Sequence, residues 1–173
     1  MYKLKFTILQ LEIIRFLSIN TGKSFNARSL ANHLDVSQTA ISKSLPLLEK
    51  EQFIKLNKDN ESGRWSIELN RSNNKVIGYK RSENLRILYE SGLVDFLKEK
   101  FPESRIILYG LYSKGEDTFQ SPLNIAIGSK EKKLDLREFY TNLERDIDIK
   151  FYDPKKIKNE TSDGMLLSGG INL

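Results

Sequence analysis

The chain has 173 residues, a net charge of +5 and 39% apolar residues, a size that suits one large domain or two small ones. It has no cysteine and a single histidine, which excludes disulfides and thiolate metal sites and argues against a zinc site or a histidine-based catalytic triad. No run of 18 apolar residues and no signal-peptide pattern occur, so the sequence predicts a cytoplasmic protein without a membrane span.

The positive charge is concentrated in the first half of the chain. Residues 1–80 carry 13 Lys and Arg against 7 Asp and Glu, whereas residues 81–173 carry 15 against 16. Such asymmetry is typical of a polyanion-binding module joined to a unit of a different kind. A mild excess can also serve solvation alone, so the charge needs support from sequence motifs.

Two helices are predicted first. Apolar residues recur at helical spacing from about residue 4 to residue 20, and Gly22 follows as a stop signal. Asn26 is a good N-cap for a second, short helix, which presents Leu30 and Leu34 to the same core.

A third helix follows the second after a short turn. Ser37 can cap it, and Pro46 within it predicts a kink or an end nearby. Its predicted buried stripe comprises Ala40, Ile41, Leu45 and Leu48.

A β-hairpin is predicted after the three helices. Phe53–Leu56 is a strand candidate, a polar turn follows, and Trp65–Leu69 alternates strictly between apolar and polar residues. Because Trp65 shares a strand face with Ile67 and Leu69, it is predicted to lie in the core. Three helices followed by a hairpin predict a winged helix-turn-helix over residues 1–70.

The stretch from Leu30 to Ile54 resembles the helix-turn-helix of MarR-like and ArsR-like regulators, through Leu34-Asp-Val-Ser37 and the leucines that follow. One departure is Gln52-Phe53, where such proteins usually have glycine and an aliphatic residue. The resemblance implies a winged helix that binds double-stranded DNA.

Polar side chains occupy the positions that would face DNA. On the third helix, Gln38 can make a bidentate contact to adenine, while serine, threonine and lysine mostly bond phosphates. The wing adds two cations that flank its turn. The predicted DNA-binding residues are Ser37, Gln38, Thr39, Ser42, Lys43, Lys58 and Arg64. Winged helices also serve as protein-interaction modules, and then these side chains would form a solvated face.

The second half is predicted to be a separate α+β domain over residues 82–173, after a polar linker at 71–81. Helical pattern returns at Ser82. The predicted strands are Arg105–Tyr109, Leu123–Ile127 and residues 147–151, with a helix before the last.

Residues 85–152 resemble a minimal nucleotidyltransferase domain of the DNA polymerase β superfamily, through Leu108-Tyr-Gly110 and the spacing to the strand at Leu123. That family uses Gly-Ser to hold a phosphate and two aspartates on the next strand to bind Mg²⁺. Here Leu111 replaces the serine, and Pro122 and Asn124 replace the aspartates. Only the third carboxylate of the family has a candidate, Asp148, with Asp146 as an alternative. The resemblance therefore implies an inactive nucleotidyltransferase-like domain with no catalytic residues, no metal and no cofactor.

Three roles remain open for this second domain. It could pack and dimerise, or it could sense a nucleotide or another anion at Gly110, Ser113, Lys114 and Gly115. It could also be an active metal-dependent enzyme that recruits other carboxylates. The candidates for that recruitment are Glu116, Asp117, Asp146 and Asp148.

The function predicted from these features is a DNA-binding transcriptional regulator, and its two-domain order resembles archaeal regulators. A homodimer is expected, because one recognition helix contacts only part of a DNA site. The candidate interfaces are a first-helix face of Leu4, Ile8 and Leu11 and the second domain. An antitoxin-like protein-interaction adaptor is the alternative.

Overall fold

The computed structural model describes residues 5–58, 65–155 and 169–173. The chain divides into two compact units, Met1–Lys80 and Arg81–Leu173, called here the N-terminal and C-terminal units. Within the described ranges, no helix combines the length and apolar character that crossing a membrane requires.

The N-terminal unit contains three helices and then a hairpin. These are α1 (Ile8–Ile19), α2 (Ala27–His33), α3 (Gln38–Lys50), β1 (Ile54–Lys58) and β2 (Trp65–Leu69). The two strands pair antiparallel, and Phe25 adds an isolated bridge to Ile67 on the outer side of β2. This arrangement is a winged helix-turn-helix.

Local chemistry explains where α1 and α2 begin. Thr7 and Gln10 form a reciprocal capping box, in which the Thr7 hydroxyl accepts from the Gln10 N–H and the Gln10 side chain accepts from the Thr7 N–H. The Asn26 side chain accepts from the Ser29 N–H at 2.8 Å and caps α2 as predicted. Both helices therefore begin at polar side chains that satisfy N–H groups of the first turn.

One core joins all five elements of the N-terminal unit. It is built from the inward faces of the helices and of both strands. Its fully buried members include Ile13, Ile14, Leu30, Ile41, Leu48 and Ile67.

Helix α3 continues through Pro46 to Lys50, so the predicted end near the proline is wrong. Pro46 lacks the N–H that would bond the Ser42 carbonyl. Both residues lie on the exposed side of the helix, where water can satisfy that carbonyl. A proline on a solvated face is therefore compatible with a continuous helix.

The segment predicted as a polar linker at 71–81 is largely helical, because helix α4 spans Asn74–Glu90. Val76 is fully buried in the core of the N-terminal unit. Lys80 is also fully buried, and its ammonium donates to the Ser18 carbonyl at 2.7 Å. These two residues are anchored among polar neighbours, which is why composition alone suggested a linker.

The C-terminal unit has a four-stranded mixed sheet covered by helices. After the end of α4, its elements are α5 (Leu93–Lys100), β3 (Ile106–Tyr109), α6 (Gly110–Lys114), β4 (Leu123–Ile127), α7 (Arg137–Leu143), β5 (Ile147–Phe151) and β6 (Ile171–Asn172). The strand order is β5-β4-β3-β6, with β4 and β5 parallel and the other pairs antiparallel. The predicted α+β class, a winged helix followed by a small mixed sheet, is confirmed.

Candidate nucleic-acid interface

A short turn between α2 and α3 sets the start of the third helix. Asp35 takes a left-handed conformation with φ of 51°, which aspartate tolerates better than most residues. The Val36 N–H then returns to the Ala31 carbonyl at 3.0 Å. Ser37 follows in extended conformation, and its hydroxyl accepts from the Ala40 N–H at 3.1 Å, which confirms it as the N-cap of α3.

The opposite sides of α3 differ sharply in chemistry. Its buried side consists of Ile41, Ser44, Leu45 and Leu48. The outer side of its first half is polar, and its first turn contains no acidic residue. The exposed residues there, called here the recognition face, are Ser37, Gln38, Thr39, Ser42 and Lys43.

The recognition face lies where the helix is electropositive. Unpaired N–H groups and the peptide dipoles give the first turn of a helix a partial positive charge, which attracts phosphate. Lys43 adds a full charge one turn further on. The serine, threonine and glutamine side chains of the face can both donate and accept hydrogen bonds, as contacts to base edges require, whereas the Lys43 ammonium only donates.

Helix α3 is held by a polar contact from α1. The side-chain amide of Gln10, which is buried, donates to the Ser44 carbonyl at 3.2 Å. The Ser44 hydroxyl in turn donates to the Ala40 carbonyl at 2.9 Å. Since both bonds lie on the buried side of α3, they orient the helix and leave the recognition face unencumbered.

The hairpin carries a cation and an aromatic ring side by side. Lys58 is the last residue of β1 and Trp65 the first of β2, and the two are cross-strand partners. Half of the Trp65 surface is exposed, so the prediction of a core tryptophan is wrong. Strand alternation gave its face correctly, but Trp65 lies at the strand end, beyond the helices that cover Ile67 and Leu69. Arg64, the other predicted wing cation, lies outside the described residues.

Two of the predicted anion-binding residues of the C-terminal unit, Ser113 and Gly115, make hydrogen bonds within and at the end of α6. Ser113 is buried, and its hydroxyl donates to the Gly110 carbonyl at 2.9 Å. The buried Gly115, with φ of 75°, caps α6 through its N–H. Lys114 is exposed, and so is Leu111 at the position of the family serine. An anion site at these four residues stays a prediction.

The strand positions singled out by the nucleotidyltransferase resemblance lie close together. Asn124 on β4 lies against Gly110, where an added Cβ would meet the Asn124 amide nitrogen at 3.0 Å. On its other side, Asn124 is in register with Asp148 of β5. The amide also donates to the Pro122 carbonyl at 3.4 Å. These positions therefore hold one exposed carboxylate and one amide, and the φ of 75° at Gly110 favours glycine there.

Asp117 belongs to a buried polar network that ties down the segment between α6 and β4. One carboxylate oxygen accepts from the Asn84 amide at 2.7 Å, and the other lies 3.4 Å from the Arg145 guanidinium. Arg145 also donates to the Thr118 carbonyl at 2.6 Å. Its guanidinium lies 5.3 Å from the centre of the Tyr112 ring, and burial raises the pKa of that phenol. Asp117 therefore acts as a structural anion.

No metal site is assembled in the described part of the chain. Among those residues, no group of three or more His, Asp or Glu side chains lies close enough to hold an ion. Of the carboxylates named as candidates, Asp117 is paired with Arg145, while Asp146 and Asp148 are exposed on or beside β5.

Solved structures that match part of the chain include a repressor, a protein–DNA complex and a transcriptional regulator. The adhesin competence repressor (AdcR) from Streptococcus pyogenes is 22% identical, with a TM-score of 0.44 over 58% of this chain and 69% of its own. The S. aureus MepR–DNA complex is 18% identical, with a TM-score of 0.41 over 56% of this chain and 79% of its own. The transcriptional regulator BldR from Sulfolobus solfataricus is 17% identical, with a TM-score of 0.38 over 58% of this chain and 64% of its own. No protein-family model and no curated protein sequence matches the chain.

Proposed function

We propose that the chain is a DNA-binding transcriptional regulator whose N-terminal unit reads duplex DNA. The observation that carries the proposal is the exposed, acid-free recognition face of α3, set on a winged helix and backed by a buried apolar stripe. Residues 1–80 also hold the whole positive excess of the chain. Charge and exposed hydrogen-bonding groups on one helix are the combination that a major-groove reader needs.

Roles within the interface follow from side-chain chemistry. Gln38 is assigned to an adenine edge, because its amide can donate and accept in the same plane. Ser37, Thr39, Ser42 and Lys43 are assigned mainly to phosphates, which fix the register of the helix. Lys58 and Arg64 of the wing would hold the backbone beside the groove.

Selection from a random duplex library tests the proposal with the full chain. We expect enrichment of one motif that is lost or altered with Gln38→Ala and unchanged with Gln120→Ala, an exposed glutamine of the C-terminal unit. Enrichment of no motif by the wild-type chain would contradict sequence-specific reading. A motif that is identical in both variants would remove Gln38 from the base contacts.

A homodimer is part of this proposal, since two recognition helices double the contacted site. Ile8 on α1 supports one interface, because it is 77% exposed although it is a large aliphatic residue. Leu11 on the same helix is half-buried, and Leu4 lies outside the described residues. Sedimentation equilibrium of the wild type and of Ile8→Glu tests this interface, with dissociation of a wild-type dimer as the expected effect of the charge.

For the C-terminal unit we propose a nucleotidyltransferase-like domain that has lost its metal site and serves dimerisation or ligand sensing. The closeness of Gly110, Asn124 and Asp148 supports the first part. A neutral amide at Asn124 and a proline at 122 leave too little negative charge to gather two metal ions. Incubation with radiolabelled nucleoside triphosphates and Mg²⁺ or Mn²⁺ tests the loss of the metal site, and transfer of label would contradict it. Calorimetric titration with ATP tests ligand sensing, and heat of binding would identify ATP as a ligand.

A further inference from the structure

The last cross-strand pair of the hairpin lies outside the hydrophobic core. One of its sides faces the helices and carries three cross-strand pairs, which are Ile54 with Leu69, Leu56 with Ile67, and Lys58 with Trp65. The first pair is buried, the second is partly buried, and the third is exposed. Lys58 and Trp65, called here the wing pair, therefore project from the apolar side of the hairpin, and in the described part of the chain they are exposed.

The exposure of Trp65 is unusual, because contact between a large apolar ring and water is energetically unfavourable. Trp65 is the only tryptophan of the chain, and half of its surface faces water. Large aromatic rings are normally buried more fully, and exposed ones are concentrated at binding surfaces. The residue stands at the end of a strand next to a lysine, in the half of the chain that carries the excess positive charge.

The two members of the wing pair suit the two repeating parts of a nucleic-acid backbone. Directly opposed side chains on neighbouring strands have Cβ atoms about 5 Å apart, so a ring and an ammonium there can act on adjacent groups of one ligand. A lysine ammonium binds phosphate, while an indole ring packs on a deoxyribose or against the edge of a base in a groove. Apolar side chains at such positions are also used as wedges in the minor groove.

We infer that Trp65 contacts duplex DNA directly, packing against the sugar or base next to the phosphate held by Lys58. The inference rests on the proposed DNA-binding function and adds to it an aromatic contact from the wing. Trp65 supplies affinity by apolar contact, whereas Lys58 supplies an ionic contact. The two contributions therefore respond differently to salt.

Fluorescence separates this inference from the proposal on which it rests. The full chain is titrated with an end-labelled mixed-sequence duplex at low salt, and anisotropy of the label reports DNA binding. Emission of Trp65 and its quenching by acrylamide are recorded in the same titration, and they report on this one residue because no other tryptophan contributes. We expect quenched emission and protection from acrylamide as the duplex saturates.

Variants give the matching energetic test. Trp65→Ala is expected to weaken duplex binding about tenfold without changing the salt slope, whereas Trp65→Phe retains most of the affinity. Lys58→Ala is expected to lower the salt slope by about 1. Tyr89→Ala removes a similarly exposed ring from the C-terminal unit and should leave binding unchanged.

Each outcome decides between the claims. Duplex binding seen by anisotropy, with Trp65 emission and acrylamide access unchanged, overturns the tryptophan contact and leaves the proposed function standing. Protection of Trp65 by phosphatidylglycerol vesicles but not by duplex overturns it in favour of a membrane surface. No anisotropy change with any duplex at low salt overturns both. The wild-type fluorescence result holds even if Trp65→Ala fails to fold.

Discussion

At the scale of single residues, the side chains at α3 divide into those that hold the helix in place and those that face outward. Gln10 and Ser44 hold it through buried hydrogen bonds. Apart from Ser37, which caps the helix, the residues of the recognition face contribute little to folding, because they are exposed. Substitutions on the two sides should therefore separate stability from DNA binding.

Lys43→Ala should weaken duplex binding and lower the slope of log K against log salt by about 1, because one phosphate contact is lost. The unfolding free energy should stay within about 0.5 kcal/mol of the wild type, as is usual for exposed positions. Anisotropy titrations at several salt concentrations check this. Lys130→Ala removes the same charge from an exposed site of the C-terminal unit, and an equal change of slope in that control would refute the assignment.

Ser37→Asp should keep the N-cap of α3 while repelling DNA. Aspartate caps helices as well as serine does, so urea unfolding should give a free energy within about 0.5 kcal/mol of the wild type. An added carboxylate beside phosphates should weaken binding by about tenfold or more. Ser37→Ala is the matched variant, expected to lose about 1 kcal/mol of stability through the missing cap. Undiminished DNA binding by Ser37→Asp would place Ser37 away from the backbone.

Gln10→Ala should destabilise the N-terminal unit by about 2 kcal/mol, because it leaves buried polar groups of α1 and α3 without their partner. Chemical denaturation followed by circular dichroism checks this. Gln38→Ala is the control: it removes an exposed glutamine from α3 and should leave the unfolding free energy nearly unchanged. Equal stability of both variants would mean that the contact from Gln10 to Ser44 does not hold the helix.

At the scale of elements, sequence reasoning succeeded where the cause is local. Asn26 and Ser37 were predicted as N-caps, because a short polar side chain before an apolar periodic run satisfies the N–H groups of the first turn. Strand β2 has the predicted bounds, because strict alternation over Trp65–Leu69 leaves only one strand register with a buried face.

The errors at this scale arise where packing depends on distant elements. Alternation assigned Trp65 to the apolar side of β2, but only the extent of the helical layer decides how far along the strand that side is covered. Val76 and Lys80 are buried by elements far from them in sequence, so their polar neighbourhood suggested a linker. Pro46 was expected to kink or end α3 nearby, but the helix continues to Lys50, and the chain leaves it through Gln52, which has a left-handed φ of 58°.

The candidate site was predictable only in part. The five residues of the recognition face could be placed outward because periodicity fixes the buried stripe of α3 and hence the opposite side. Nothing in the sequence predicted that Ser113 would turn inward to the Gly110 carbonyl or that Asn124 would lie against Gly110. These contacts depend on the geometry of α6 and of the mixed sheet.

Asp117→Ala should destabilise the C-terminal unit by about 3 kcal/mol. It leaves the buried Arg145 guanidinium without its anion and removes one of the two acceptors of the Asn84 amide, the other being the Tyr112 carbonyl. Thermal and urea unfolding check this, with Asp146→Ala, an exposed neighbouring carboxylate, as the control. If Asp117→Ala instead leaves stability unchanged and abolishes a nucleotide-transfer activity, Asp117 would be a catalytic ligand and the structural assignment would be wrong.

At the scale of the whole molecule, the chain joins a basic unit to one that is nearly neutral. The N-terminal unit carries 13 Lys and Arg against 7 Asp and Glu, and the C-terminal unit carries 15 against 16. We therefore expect any salt-sensitive contact with a polyanion in the N-terminal unit. The nearly neutral C-terminal unit does not need to attract a polyanion, and this agrees with the proposed role in dimerisation or ligand sensing.

The central claim is that the winged helix reads duplex DNA. It is tested most directly by titrating the full chain against labelled DNA from upstream of its own coding sequence, at several salt concentrations and beside a scrambled duplex. If the winged helix reads DNA, binding weakens steeply with added salt and favours the native sequence over the scrambled one at every salt concentration. Binding no stronger than to the scrambled duplex at every salt concentration would contradict it and would reduce the basic unit to a general polyanion surface.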